Sequence, residues 1–329
     1  MTRTTLPATL ALLAAGALLP ACFLAPEYAF IEADDVEIEP VRGAEFRAST
    51  EYGDLYAIAM QSAHDVSGWV ASAVETTQKV IDLLDRFPAD VDAEGFKVYG
   101  PYHPKESAVS WLFRFDGDVD GARFEAWVGD PAAAGIEDME RLLGGSLAIE
   151  GSRRSGAFAV DFDVLEARGD ALKGGPDRDR HYTGVVTLTF ERDLESDLKR
   201  VDIDYSDFTV TQEVPIHDFF AATRYAFHRE ADGAGDFHVD IASTFQAALW
   251  SGPEVETMVI DMEWGPSGAG RAHGEVHDRY GDAPGDLLLG DLVLDECFDE
   301  RGGLLWRQLG EPYASALTGY NRGQASECR

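Results

Sequence analysis

The strongest constraint on the fold is a two-residue alternation of apolar and acidic side chains that recurs from residue 96 to residue 294. Val201 and Ile203 alternate with Asp202 and Asp204, and the same pattern returns several times further along the chain. Alternation of this period places apolar side chains on one face of a β-sheet and acidic ones on the other. The pattern predicts eleven strands, separated by glycine-rich turns: Phe96–Tyr102, Ala108–Phe115, Arg123–Val128, Gly156–Glu166, Tyr182–Glu191, Lys199–Thr211, Ala222–Arg229, Asp236–Phe245, Glu256–Trp264, Arg271–Asp278 and Leu288–Leu294.

A long helix is predicted before the strands. Between Asp54 and Arg86, apolar or small residues recur every three to four positions, and Pro88 follows. A short helix is also predicted where Ile136, Met139 and Leu143 share one face, before Gly144. The expected fold is therefore mainly β (α+β): an antiparallel curled sheet or incomplete barrel of about 10–11 strands, packed against a long N-terminal helix.

The first residues predict export and lipid anchoring. Residues 1–21 carry one charge and a short apolar run, which is typical of a signal peptide and too short for a membrane-spanning helix. Leu19-Pro20-Ala21-Cys22 resembles the bacterial lipobox, which implies acylation of Cys22. The alternative is an ordinary secretory signal. Residues 22–53 are then predicted to be an acidic tether, and residues 54–329 a single globular domain.

The lipoprotein resemblance also implies a location. In that family an Asp directly after the cysteine commonly signals retention in the inner membrane, and this chain has Phe23 there. We therefore expect a lipid-anchored protein of the cell envelope, at the outer membrane. The formal net charge of −33 disfavours nucleic-acid binding and electrostatic docking on anionic lipids, so the membrane contact is expected through the lipid alone.

The two cysteines other than Cys22 are predicted to form a disulfide. Cys297 and Cys328 would lie in an oxidising compartment, where a bridge fastens the C-terminal tail to the last strand region. The alternative is a pair of free thiols.

Two segments contain side chains that could bind a metal ion. Asp116, Asp118 and Asp120 match the first half of a calcium loop, but the twelfth position is Trp127 and the flanks read as strands. A calcium site on these carboxylates is kept as a hypothesis beside a solvated hairpin turn. His273 and His277 would lie about 13 Å apart on a strand, so a shared metal ion would need a further ligand from elsewhere.

The helix followed by an amphipathic meander resembles the Lol-type lipoprotein carriers and related lipid-binding envelope lipoproteins. The segments Gly268–Val276 and Glu296–Asp299 also resemble parts of bacterial lipoproteins of uncharacterised function. The first resemblance implies an apolar ligand held between sheet and helix. The pairing of a long helix with alternating strands, on a protein expected at a lipid surface, predicts that the apolar faces carrying Trp69, Phe162, Tyr205 and Trp264 enclose the cavity. The alternative is a structural or interaction lipoprotein with a filled core and no small ligand. No catalytic arrangement and no cofactor are predicted.

Overall fold

The computed structural model describes residues 30–38, 53–84, 86–93, 96–104, 108–168, 180–205, 208–212, 220–243, 255–280, 283–285, 287 and 289–328. The predicted signal peptide and Cys22 lie outside the described residues. No described helix is both long and apolar enough to cross a membrane.

Four α-helices occur in the described residues, namely α1 (Ala33–Val36), α2 (Asp54–Leu84), α3 (Phe162–Ala167) and α4 (Tyr313–Ala316). Short 3-10 turns occupy Ile136–Asp138 and Ala325–Glu327. The strands are β1 (Val91–Ala93), β2 (Phe96–Tyr102), β3 (Ser110–Asp118), β4 (Gly121–Gly129), β5 (Met139–Glu150), β6 (Arg153–Asp161), β7 (Arg180–Thr183), β8 (Val185–Asp193), β9 (Lys199–Asp204), β10 (Thr209–Gln212), β11 (Phe220–Arg229), β12 (Gly235–Ser243), β13 (Glu256–Trp264), β14 (Gly270–His277), β15 (Arg279–Tyr280), β16 (Ala283–Pro284), β17 (Leu292–Phe298) and β18 (Leu304–Leu309).

Fourteen of these strands form one antiparallel sheet, in the order β1-β2-β3-β4-β5-β6-β8-β9-β11-β12-β13-β14-β17-β18. The sheet is open, because β1 and β18 are its edges. The predicted mainly β class is therefore confirmed, with more strands than the eleven expected. Most of the additional strands are two to four residues long, which is too short for an alternation to be recognised. The long helix is not the first element of the fold, because α1 precedes α2.

The helix predicted around Ile136–Gly144 is wrong. Only Ile136–Asp138 turns, and β5 then runs from Met139 to Glu150 with β4 on one side and β6 on the other. This strand position requires a glycine, because a Cβ at Gly145 would come within 2.4 Å of the Phe124 ring. Pairing on both edges thus overrides a helical spacing of three apolar residues.

The strand predicted over Gly156–Glu166 ends early. β6 stops at Asp161, whose side chain accepts hydrogen bonds from the backbone N–H of Asp163, at 3.0 Å, and of Val164, at 3.1 Å. This N-cap starts α3, so Phe162 and Val164 lie on a helix although their spacing fits a strand.

The chain divides into two compact units. The first comprises residues 1–37, 69–192 and 205–213, and the second comprises residues 38–68, 193–204 and 214–329. The boundaries of the single domain expected at 54–329 stay a prediction.

Within the first unit, part of the expected tether is folded. The ring of Phe30 lies 5.0 Å from that of Phe124. Asp35 of α1 is 0% exposed and accepts two hydrogen bonds from Arg154 of β6, at 2.8 and 3.0 Å. Arg154 also donates to the carbonyl of Phe30 at 2.7 Å. Residues 30–37, which fall inside the predicted acidic tether, are therefore held by packing and by a buried ion pair.

The second unit has an apolar core. Most of its largest fully buried side chains come from alternate positions of neighbouring strands: Ile203, Tyr225, Phe227, Phe237, Ile241, Met258, Ile260, Met262 and Phe298. The ring of Tyr56 of α2 packs against that of Phe298, with their centroids 4.9 Å apart. Leu55 occupies the space beside Gly274, where a Cβ would come within 2.4 Å of it.

A buried carboxylate fixes the start of α2 in the second unit. Glu296 of β17 is 1% exposed and accepts hydrogen bonds from the backbone N–H groups of Asp54 and Leu55, each at 2.9 Å. It also accepts from Arg307 of β18 at 2.7 Å. These N–H groups have no partner inside the helix, so Glu296 satisfies them and its negative charge complements the positive end of the helix.

Candidate functional site

The candidate site is a groove on the polar face of the second unit, across β12, β13, β14, β17 and β18. Alternation sends Phe237 and Met262 into the core and leaves His238, Asp261 and His273 on the opposite face. The groove has a volume of about 670 Å³, within the range usual for small-ligand sites.

Its floor is a row in which imidazoles and carboxylates alternate from strand to strand. In the sheet register His238 faces Asp261, Asp261 faces His273, and His273 faces Asp295. The Nδ1 atom of His238 lies 2.7 Å from Asp261 Oδ1, and that of His273 lies 2.7 Å from Asp295 Oδ1. Both distances are short enough for charge-assisted hydrogen bonds.

A second row borders the first. It contains Asp236, Glu263 and Arg271, each opposite the next on its neighbouring strand, and Arg271 pairs with Glu263 at 2.7 Å. Beyond them lie Cys297 and Trp306, which face each other across β17 and β18.

The predicted disulfide forms part of the groove wall. Cys297 and Cys328 are bonded, as expected, with their Cα atoms 5.7 Å apart. Cys328 and Ala325 both line the groove. The bridge therefore holds the C-terminal 3-10 turn beside the polar face.

Electrostatics in the groove favour a positive partner. The hydrogen bond to Asp295 raises the pKa of His273 above its ordinary value, with a further contribution from Glu275, although partial burial opposes both. The two contributions that raise this pKa come from carboxylates, which stabilise the positive charge of the protonated ring. The described lining contains no serine, threonine or free cysteine, and its polar side chains are mainly carboxylates and imidazoles.

The three aspartates of the calcium hypothesis lie elsewhere, on the hairpin between β3 and β4. Asp118 accepts a hydrogen bond from the backbone N–H of Asp120 at 2.9 Å, which stabilises the turn. Asp116 is further back on β3, opposite Arg123. Within the described part of the chain, no group of three potential ligands is arranged to hold a metal ion. The structure does not bring these three carboxylates together as a site.

His273 and His277 share the polar face of β14, with Glu275 between them. Glu275 lies 3.3 Å from His273 Nε2 and 3.8 Å from His277 Nε2. His277 also faces Asp291 at 3.6 Å. Each histidine therefore pairs with carboxylates, and the two do not form a shared metal site with a third ligand.

The residues of the apolar-ligand hypothesis fall into different clusters. In the first unit Phe162 and Tyr205 both pack on Phe208, at 4.9 and 5.8 Å. In the second, Trp264 stacks on Phe227 at 6.1 Å. The side chain of Trp69 lies outside the described residues.

Sequence reasoning missed the groove itself. The signal in the sequence that could have indicated this groove is that the outward positions of three predicted strands carry His238, Asp261 and His273. These positions became a site only when the register placed them side by side.

Comparison of the chain with protein-family models, with curated proteins and with solved structures finds no match. The resemblance to lipid-binding envelope lipoproteins is therefore carried by sequence features alone. Function has to be argued from the groove.

Proposed function

We propose that this chain is an envelope lipoprotein, anchored through acylated Cys22, whose second unit binds a cationic ligand in the groove. The observation that carries the proposal is the charge of the lining. The described lining of this groove, of about 670 Å³, includes the exposed carboxylates of Asp236, Asp261, Glu263 and Asp295 and one arginine, Arg271.

A concave surface with one sign of charge concentrates oppositely charged ligands, and this chain has a large negative charge overall. Asp261 and Asp295 are two strands apart, so they suit amines spaced by ~10 Å. Trp306 adds an aromatic surface at the end of the groove, which is suited to an alkylammonium group. An elongated polyamine combines these features, and we take it as the ligand class.

Carriage of an apolar ligand between sheet and helix is the less supported function. The helix does contact the apolar face within the second unit, where Leu55 packs beside Gly274, which supports a sheet covered by a helix. However, that face is occupied by Tyr225, Phe227, Phe237 and their neighbours. The filled-core alternative is therefore favoured, with recognition on the polar face.

Binding can be tested by calorimetric titration of spermine into the full mature protein in non-ionic detergent. We expect binding at pH 7 that weakens steeply as salt is raised from 50 to 300 mM, because the partly exposed charges are screened. The double variant Asp261→Asn/Asp295→Asn should lose at least about tenfold in affinity.

The matched control is Asp116→Asn/Asp118→Asn, which removes two exposed carboxylates of β3 outside the groove lining. It should bind spermine as the wild type does. Absence of spermine binding, or equal binding by the double variant, would refute the cation-binding proposal.

The anchor is tested separately. Labelled fatty acid should enter the wild type and not Cys22→Ser, because the thiol of Cys22 is the proposed acylation site. Equal labelling of both proteins would end the lipoprotein proposal and leave the groove proposal intact.

A further inference from the structure

The two histidines of the groove occupy alternating places in one row with two carboxylates. His238 of β12 and His273 of β14 flank Asp261 of β13, and Asp295 of β17 completes the row. Imidazoles change charge between pH 5 and 8, so protonation can change the net charge of this floor at near-neutral pH.

The charged groups that face His273 are mainly negative. Asp261 lies opposite it on β13 and Asp295 on β17, while Arg271 and Glu275 flank it on its own strand. Only Arg271 opposes a proton on this ring, and Arg271 is paired with Glu263.

The charged groups nearest to His238 are also mainly negative. Asp261 faces it from β13, and Asp236 and Asp240 flank it on β12. On β11 it faces Ala226, whose polar-face neighbours are Arg224 and His228. Arg224 is paired with Asp202 at 3.3 Å, and His228 lies 3.1 Å from Asp236.

We propose that the row of His238, Asp261, His273 and Asp295 couples cation binding to protonation, so that the groove holds a polyamine when the imidazoles are neutral and releases it when they are charged. This inference rests on the proposed cation-binding function. Both histidines already hydrogen-bond the carboxylates that a polyamine would use, so a proton on the ring and a bound amine compete for the same negative charge.

The direction follows from this competition. The raised pKa of His273 means that the empty groove holds a proton to higher pH than a free imidazole would. A bound cation disfavours that proton, and by linkage the proton disfavours the cation to the same degree. Acidification must therefore weaken binding, and binding must release protons.

The test is calorimetric titration of spermine into the full mature protein between pH 7.5 and 5.0 at constant ionic strength. Spermine is predominantly fully protonated over this range. For the wild type we expect the Kd to rise by about tenfold from pH 7.5 to 5.0. For His238→Gln/His273→Gln we expect a change within about twofold, because the remaining carboxylates keep most of their charge.

His277→Gln is the matched control, since His277 lies on β14 with His273 but does not line the groove. It should keep the pH dependence of the wild type. Repeating the titrations near pH 6.5 in two buffers of different ionisation enthalpy should show proton release by the wild type and less by the double variant.

The outcomes separate the two proposals. Absence of spermine binding at pH 7.5 refutes the cation-binding function. Binding whose pH dependence is the same in the wild type and the double histidine variant refutes proton coupling alone, because the groove would then bind cations without using these imidazoles.

Discussion

Each unit contains a buried carboxylate paired with an arginine on one of its own strands, and the two pairs differ in the element that supplies the carboxylate. In the first unit Asp35 belongs to helix α1 and Arg154 to strand β6. In the second unit Glu296 and Arg307 both belong to strands. Helix α2 contributes backbone N–H groups to Glu296, and the carboxylate of Asp54 lies 3.4 Å from Arg307.

The difference shows how much each helix depends on its ion pair. α1 has four residues, far fewer than an isolated helix needs, so its position relies on Asp35 and on packing by Phe30. The first turn of α2 is held at several points, since Tyr320 also contacts Asp54 and Tyr56 packs on Phe298. We therefore expect the first unit to be more sensitive to loss of one charge.

Arg154→Ala should have the largest effect. It leaves Asp35 buried without its main partner, which typically destabilises by about 3–5 kcal/mol. Chemical denaturation measures this loss. The control is Arg153→Ala, which removes an exposed pair with Glu191 and should change stability by less than about 0.5 kcal/mol. Equal effects of the two variants would show that the buried pair does not hold α1.

Cys297→Ala/Cys328→Ala should destabilise by about 3 kcal/mol, because the bridge closes a loop of 31 residues in sequence. The second unit thus has a covalent link next to Glu296 in addition to its buried ion pair. Thermal unfolding of the variant and of the wild type with and without reductant gives the measurement. A wild type whose stability does not respond to reductant would contradict a structural role for the bridge.

Glu296→Gln should have the smallest effect, about 1 kcal/mol at pH 7, because Gln keeps one acceptor for the α2 N–H groups. The difference in stability between Glu296→Gln and the wild type depends on pH. Burial raises the pKa of Glu296, although Arg307 opposes this shift, so the folded chain holds the proton more tightly than the unfolded chain. The stability contributed by this proton is complete below the unfolded pKa and is lost as pH rises through the folded pKa.

Denaturation of Glu296→Gln and wild type from pH 4.5 to 7.5 measures the difference. Relative to the variant, the wild type should lose stability as pH rises over the lower part of this range. Glu263→Gln, at an exposed carboxylate, supplies the baseline. A difference that grows in the opposite direction would mean that the ion pair with Arg307 outweighs burial.

The sequence predicted the sheet where alternation was long and uninterrupted. Val201, Ile203, Ile260 and Met262 were expected on the apolar face, and all four are buried. It failed where a local hydrogen bond competes with the pattern, as at the Asp161 cap, because periodicity contains no information about capping.

The groove could not be predicted in the same way. Asp261 and His273 are adjacent because the turn between β13 and β14 fixes the register, and Asp295 joins them only after β15 and β16 intervene. A register error of one residue would move each side chain to the other face. The buried roles of Asp35 and Glu296 escaped prediction for a related reason, since a carboxylate in an acidic sequence gives no sign of its distant arginine.

The bonds from Arg154 to Phe30 and Asp35 limit how far the first unit can lie from the proposed lipid anchor. If residues 22–53 formed a free linker between the lipid and the domain, that linker would be roughly 110 Å long at full extension. Because Arg154 holds Phe30 and Asp35 to the first unit, only the stretch from Cys22 to Phe30 can span from bilayer to protein, at most ~28 Å. An acylated Cys22 would therefore keep the first unit close to the membrane surface, and partners of the protein would have to reach it there.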